Sequence, residues 1–128
     1  VALSPDKQYF LTRTLNKPFS YLVTAYGFAS TVSILDAKGT LVKTIAQLPS
    51  QENTPSGYDN VQNVARAFDW KNDAAATITY AMPLDSGLIK KNVPFHDVVY
   101  SLAAPFKSVN STICTNNVFI TCGAKCCK

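Results

Sequence analysis

Leu3-Ser4-Pro5-Asp6 and Trp70-Lys71-Asn72-Asp73 read alike: an apolar or aromatic residue, a tight turn and an aspartate. The same shift of 67 positions, Asp6 to Asp73 and Leu35 to Leu102, carries Val32-Ser33-Ile34-Leu35 onto Val99-Tyr100-Ser101-Leu102. A turn and strand, followed at a matched distance by a second strand, is the sequence form of a repeated β-unit. A repeat of this kind builds a scaffold and seldom carries chemistry by itself.

Working outward from the repeat, Ser4-Pro5-Asp6-Lys7 is a turn, because proline presets φ and aspartate bonds its own downstream backbone. Residues 8–15 alternate as a strand, with Tyr9, Leu11 and Arg13 opposed to Phe10, Thr12 and Thr14. Residues 19–28 are aromatic-rich but interrupted by Gly27, and are expected to be an extended, partly buried connection. Residues 31–36 and 40–46 form a hairpin about Ala37-Lys38-Gly39, whose glycine supplies the positive φ such a turn needs. Residues 48–60, with Pro49, Pro55 and Gly57, form a long loop. Further strands are expected at 65–70, 75–82 and 97–102, with the last strand of the second unit after Pro105 and another segment at 118–122. No helix is expected. Ala74-Ala75-Ala76 leads into Thr77-Ile78-Thr79-Tyr80, whose β-branched and aromatic side chains lose χ1 freedom in a helix. The fold class is therefore all-β: antiparallel sheets forming about two propeller-type blades, with a small β-sandwich as the alternative.

The composition agrees. A chain of 128 residues with 47% apolar residues is one domain's worth. Its net charge of +4 is scattered, and Lys90-Lys91 is the sole basic doublet, so no nucleic-acid partner is expected. No apolar run approaches the roughly 20 residues that span a bilayer, so no membrane partner is expected. The first residues, Val1-Ala2-Leu3-Ser4, lack the basic segment and hydrophobic stretch of a signal peptide. They start without Met inside a β-unit, as a processed chain or a fragment would.

Several runs together resemble a known family. They are Ser4-Pro5-Asp6; Lys17-Pro18-Phe19-Ser20-Tyr21-Leu22-Val23; Ile34-Leu35-Asp36-Ala37-Lys38-Gly39; Ala46-Gln47-Leu48-Pro49; Phe68-Asp69-Trp70-Lys71-Asn72-Asp73; and His96-Asp97-Val98-Val99-Tyr100-Ser101-Leu102 through Phe106. Their order resembles part of the N-terminal β-propeller of prolyl oligopeptidase-family serine peptidases, in the glutamyl-endopeptidase-like branch. The resemblance implies radial four-stranded blades that shield a separate C-terminal α/β-hydrolase domain, which would hold the catalytic Ser, Asp and His. Two departures stand out. Lys7 lies where a glycine is common after Ser-Pro-Asp, and the segment after Phe106 leaves the pattern. Residues 1–106 are thus a blade-like β region, and residues 107–128 a cysteine-containing tail.

The residues offer little chemistry of their own. His96 is the only histidine. Asp97 is poorly placed to orient it, because successive strand residues point to opposite faces. No Gly-x-Ser-x-Gly elbow exists, and no catalytic residue or cofactor is expected. Most aspartates sit at turns, where they serve the backbone; Asp69, inside a strand, is the exception. Cys114, Cys122, Cys126 and Cys127 crowd the C-terminus. They are disulfide candidates, which would imply a secreted or periplasmic location. Zinc ligation and incidental thiols are the other readings, and the unequal spacing does not suit the usual paired zinc motif. Asn110-Ser111-Thr112 matches a glycosylation sequon. The expected role is non-catalytic, with self-association through exposed sheet edges or a missing C-terminal hydrolase domain as partner. A ligand- or carbohydrate-binding sandwich using Tyr21, Tyr26, Phe28 and Tyr58 is the alternative. A small metal- or thiol-dependent enzyme is the third reading.

Overall fold

The computed structural model of the chain describes residues 1–53, 62–86 and 92–113. They form two four-stranded antiparallel sheets, each a simple meander. Sheet one runs in order through β1 (Ala2–Leu3), β2 (Tyr9–Leu15), β3 (Ser30–Asp36) and β4 (Leu41–Leu48). Sheet two runs through β5 (Arg66–Trp70), β6 (Thr77–Pro83), β7 (Asp97–Ala103) and β8 (Val109–Ile113). The only helical elements among the described residues are single 3-10 turns at Ala25–Gly27 and Gln51–Asn53.

The expected fold class is the observed one, and the 67-residue repeat extends to the hydrogen bonds. Ser4 N–H donates to the Tyr9 carbonyl at 2.9 Å, and Lys71 N–H donates to Thr77 at 2.8 Å. At the far end of the same hairpins, Asn16 N–H donates to Ala29 and Leu84 N–H to His96, both at 2.7 Å. The first and third strands of the two sheets correspond at the 67-residue offset. The turn after Trp70 is one residue longer, so the second strands correspond one position later. In register, the row Leu3, Phe10, Leu35, Leu41 across sheet one matches the row Trp70, Ile78, Leu102, Val109 across sheet two.

Matched rows have different surroundings. Trp70, Ile78 and Leu102 are 5%, 0% and 1% exposed, whereas Leu3 and Leu41 are 46% and 58% exposed. Sheet one instead buries the other face of the same strands through Leu11, Val32 and Ile34. These three residues join Trp70, Ala76, Ile78, Leu102 and Phe106 in one core. The front face of sheet one therefore packs on the back face of sheet two. A half-turn operation between the sheets would have buried equivalent rows; the observed stacking keeps one direction from unit to unit.

Phe106 is the wedge between the sheets. Its ring meets Tyr9 edge-on at 5.1 Å and Trp70 at 6.5 Å. The Lys43 ammonium donates to its carbonyl. Trp70 Nε1–H donates to the Ala2 carbonyl at 3.1 Å, and Asp6 N–H to the Ala75 carbonyl at 3.0 Å. These bonds tie the inner strand and first turn of sheet one to sheet two.

Element bounds differ from expectation in instructive places. β1 has two residues, too few to show alternation. Ala75 and Ala76 belong to the turn before β6, where Ala76 is buried in the core. The second unit does close with a strand after Pro105. It is β8, lying within the segment read as a tail. The strand expected at 118–122 and the disulfide candidates Cys114, Cys122, Cys126 and Cys127 lie outside the described residues.

Candidate functional site

Where β5 begins, the two sheets part and leave an open cleft of about 730 Å³. Sheet one lines it with Leu11, Arg13 and Val32, and β5 with Ala67 and Phe68. Tyr26 and Phe28 from the β2–β3 connection, and Leu48 and Pro49 after β4, form other walls. Beside the cleft, β5 carries a bulge. Its register against β6 shifts between Arg66 and Asp69, and Ala67 takes φ 55°. A bulge re-aims the side chains that flank it. Phe68 consequently stacks on Tyr80 at 5.5 Å, and Tyr80 on Tyr100 at 5.4 Å. Burial, and then the neighbouring Tyr100 phenol, push the Tyr80 hydroxyl above its ordinary value.

Two arginines stand near this region. Arg13 is held by sheet one: Nε–H donates to Ser30 Oγ at 2.9 Å and Nη2–H to the Tyr26 carbonyl at 3.0 Å. Ser30 is fully buried, so the guanidinium satisfies a hydroxyl that water does not reach. Arg66 pairs with Asp97 across sheet two, and its buried Nη1 has no hydrogen-bond partner among the described residues. The walls are mostly apolar with a few fixed donors.

The residues singled out as chemical candidates go elsewhere. His96 Nδ1 lies 2.7 Å from Asp85 Oδ2, and Asp85 is buried. Asp97 points to the opposite face and meets Arg66. The expectation that Asp97 does not orient His96 thus follows from strand alternation. Asp85, whose role sequence reasoning missed, sits just past β6, and its only signal was a turn aspartate near the sole histidine. Neither His96 nor Asp85 lines the cleft. Asp6 accepts from Ser4 Oγ–H and Gln8 N–H, and Asp36 from Lys38 and Thr40 N–H. Asp69 accepts from its neighbour Trp70 N–H at 2.8 Å, so it too serves the backbone.

The aromatic platform is divided. Tyr21 and Tyr26 are exposed, whereas Phe28 stacks on Phe19 at 5.6 Å and is partly buried. Tyr58 lies outside the described residues. Among the described residues no group of three or more His, Cys, Asp or Glu could hold a metal ion, and no helix is long and apolar enough to cross a membrane.

The chain is similar to plant proteins named as glutamyl endopeptidases. It is 28% identical over 97 residues to "Probable glutamyl endopeptidase, chloroplastic" of Oryza sativa subsp. japonica, covering 76% of this chain. It is 30% identical over 101 residues to the protein of the same name from Arabidopsis thaliana, covering 79% of this chain. The chain spans about a tenth of the length of these relatives, since the matched region is 10% of each. No family model matches the chain. No solved structure matches it.

Proposed function

We propose that this chain forms two adjacent blades of the gating β-propeller of a glutamyl-endopeptidase-like serine peptidase, with no catalytic group of its own. One observation carries the reading: two four-stranded meanders follow each other in matched register and stack front on back. That stacking can continue indefinitely about an axis, as blades do. A stretch matching a tenth of two peptidase-named relatives supports it. The partner in this reading is the hydrolase domain of a longer polypeptide. The His96–Asp85 pair then ties together the ends of β6 and β7 and takes no part in a triad.

The test is turnover. Pure protein incubated with a panel of peptides, including substrates cut after glutamate, is expected to show no hydrolysis and no labelling by a serine-directed phosphonate. Hydrolysis that disappears in His96→Ala would overturn the proposal. The exposed Tyr21 and Tyr26 favour a second reading as a carbohydrate-binding surface. Retention on a glycan panel, lost in Tyr26→Ala, would support it.

A further inference from the structure

The chain has six tyrosines, and among the described residues one pair of them meets ring to ring. Tyr80 of β6 and Tyr100 of β7 lie directly opposite each other in the ladder, so their side chains leave the same face of sheet two. Their rings stack at 5.4 Å with 26° between the planes. Phe68 covers the other side of Tyr80 at 5.5 Å, and phenylalanine has no hydroxyl to lose. Tyr9 meets Phe106 instead, and Tyr21 and Tyr26 are exposed. Tyr80 and Tyr100 are both half-buried, which leaves them open to a small oxidant while their strands hold them in place.

We propose that Tyr80 and Tyr100 form an oxidative modification site, at which a small one-electron oxidant joins β6 to β7 through a dityrosine bond. Each phenol gives one electron to an oxidant such as the carbonate radical anion, and its hydroxyl proton to water. The two phenoxyl radicals couple, forming one carbon–carbon bond between ring carbons next to the oxygens. The hydrogen on each of those carbons then leaves as a proton, and each oxygen takes one up, which restores both hydroxyls. Two carbonate radical anions end as two carbonate ions, and the chain ends two hydrogen atoms lighter. Opposite residues of an antiparallel pair hold their Cβ atoms about 4.5–5.5 Å apart. Side-chain rotation therefore brings the ring edges together without moving a strand. Fixed proximity also makes the coupling unimolecular, so it outruns encounters between chains.

Carbonate radicals generated radiolytically in a dilute solution of the folded chain test this. Dityrosine emission is expected in a monomeric product, with a yield per chain that does not change on dilution. Peptide mapping by mass spectrometry should place the bond between Tyr80 and Tyr100. Tyr80→Phe and Tyr100→Phe should each abolish that product, with Trp70 fluorescence and far-UV circular dichroism unchanged. Tyr100→Phe decides the matter if Tyr80→Phe fails to fold. Tyr26→Phe should leave the product intact. A monomeric product whose bond maps to other tyrosines would overturn the inference. So would a product that survives Tyr100→Phe, dityrosine formed only between chains, or none at all once the exposed tyrosines are oxidised. None of these outcomes depends on peptidase turnover, so the crosslink and the gating role stand or fall separately.

Discussion

Phe106 and Gly39 occupy the same place in their respective units. Each N–H donates to the residue three before it, Ala103 at 2.7 Å and Asp36 at 3.0 Å. Both residues have positive φ, 62° and 84°. Glycine reaches that region freely, whereas a side chain costs roughly 1–2 kcal/mol there. Phe106 tolerates the conformation because it aims the ring between Tyr9 and Trp70, where burial outweighs the strain. Phe106→Ala is expected to destabilise by about 3–5 kcal/mol in urea unfolding, the usual range for removing a buried phenylalanine. Gly39→Ala should destabilise by about 1 kcal/mol, through backbone strain alone, since nothing lies within 4 Å of the added methyl. Lys7 has φ 60° in the Ser-Pro-Asp turn. Lys7→Gly should stabilise by about 0.5–1 kcal/mol in the same assay, because the αL strain relieved exceeds the entropy glycine adds to the unfolded chain.

Among the elements, β5 and β6 show how a strand's two faces are put to separate uses. The bulge at Ala67 lets Arg66 meet Asp97 on one face while Phe68 stacks on Tyr80 from the other. Tyr80 is neutral at ordinary pH, and its environment resists ionisation. Its folded-state pKa is raised above the unfolded value near 10.0, so the folded protein binds the proton more tightly. Its contribution to stability is then fully present below that value and is lost as pH rises through the folded pKa. Thermal melts should show stability falling above about pH 10, and Tyr80→Phe should shrink that fall. Phenolate absorbance should lose a component titrating above the ordinary phenol value when Tyr80 is replaced by Phe. A Tyr80→Phe protein with an unchanged alkaline profile would remove the assignment.

At the level of the whole molecule, Trp70 is the only tryptophan and lies where the sheets meet. The two sheets share a single core, so neither buries its apolar face alone. Trp70 fluorescence, reporting docking, and circular dichroism, reporting strands, should therefore follow one coincident unfolding transition. Two separated transitions would show that the sheets are independent units. Strand alternation, the Asp36–Gly39 hairpin and the Asp6 turn are local matters, and all were readable from residue type and spacing. The offset between Asp6 and Asp73 already contained the equivalence of the units. Residues 109–113 were harder to read as a strand, because Asn110, Ser111 and Thr112 separate its two apolar ends. The His96–Asp85 pair was not legible either, since eleven positions and a change of strand separate its members. Alternation told where Asp97 would not point but could not tell where His96 would. Side-chain order along each strand thus determined that the described residues are built of β-strands in two matched units. Which side of each sheet is dry was decided only by stacking. Phe10 and Ile78 hold matched positions in similar strands, and burial depends on whether another sheet lies above them, a fact recorded in no local run of residues.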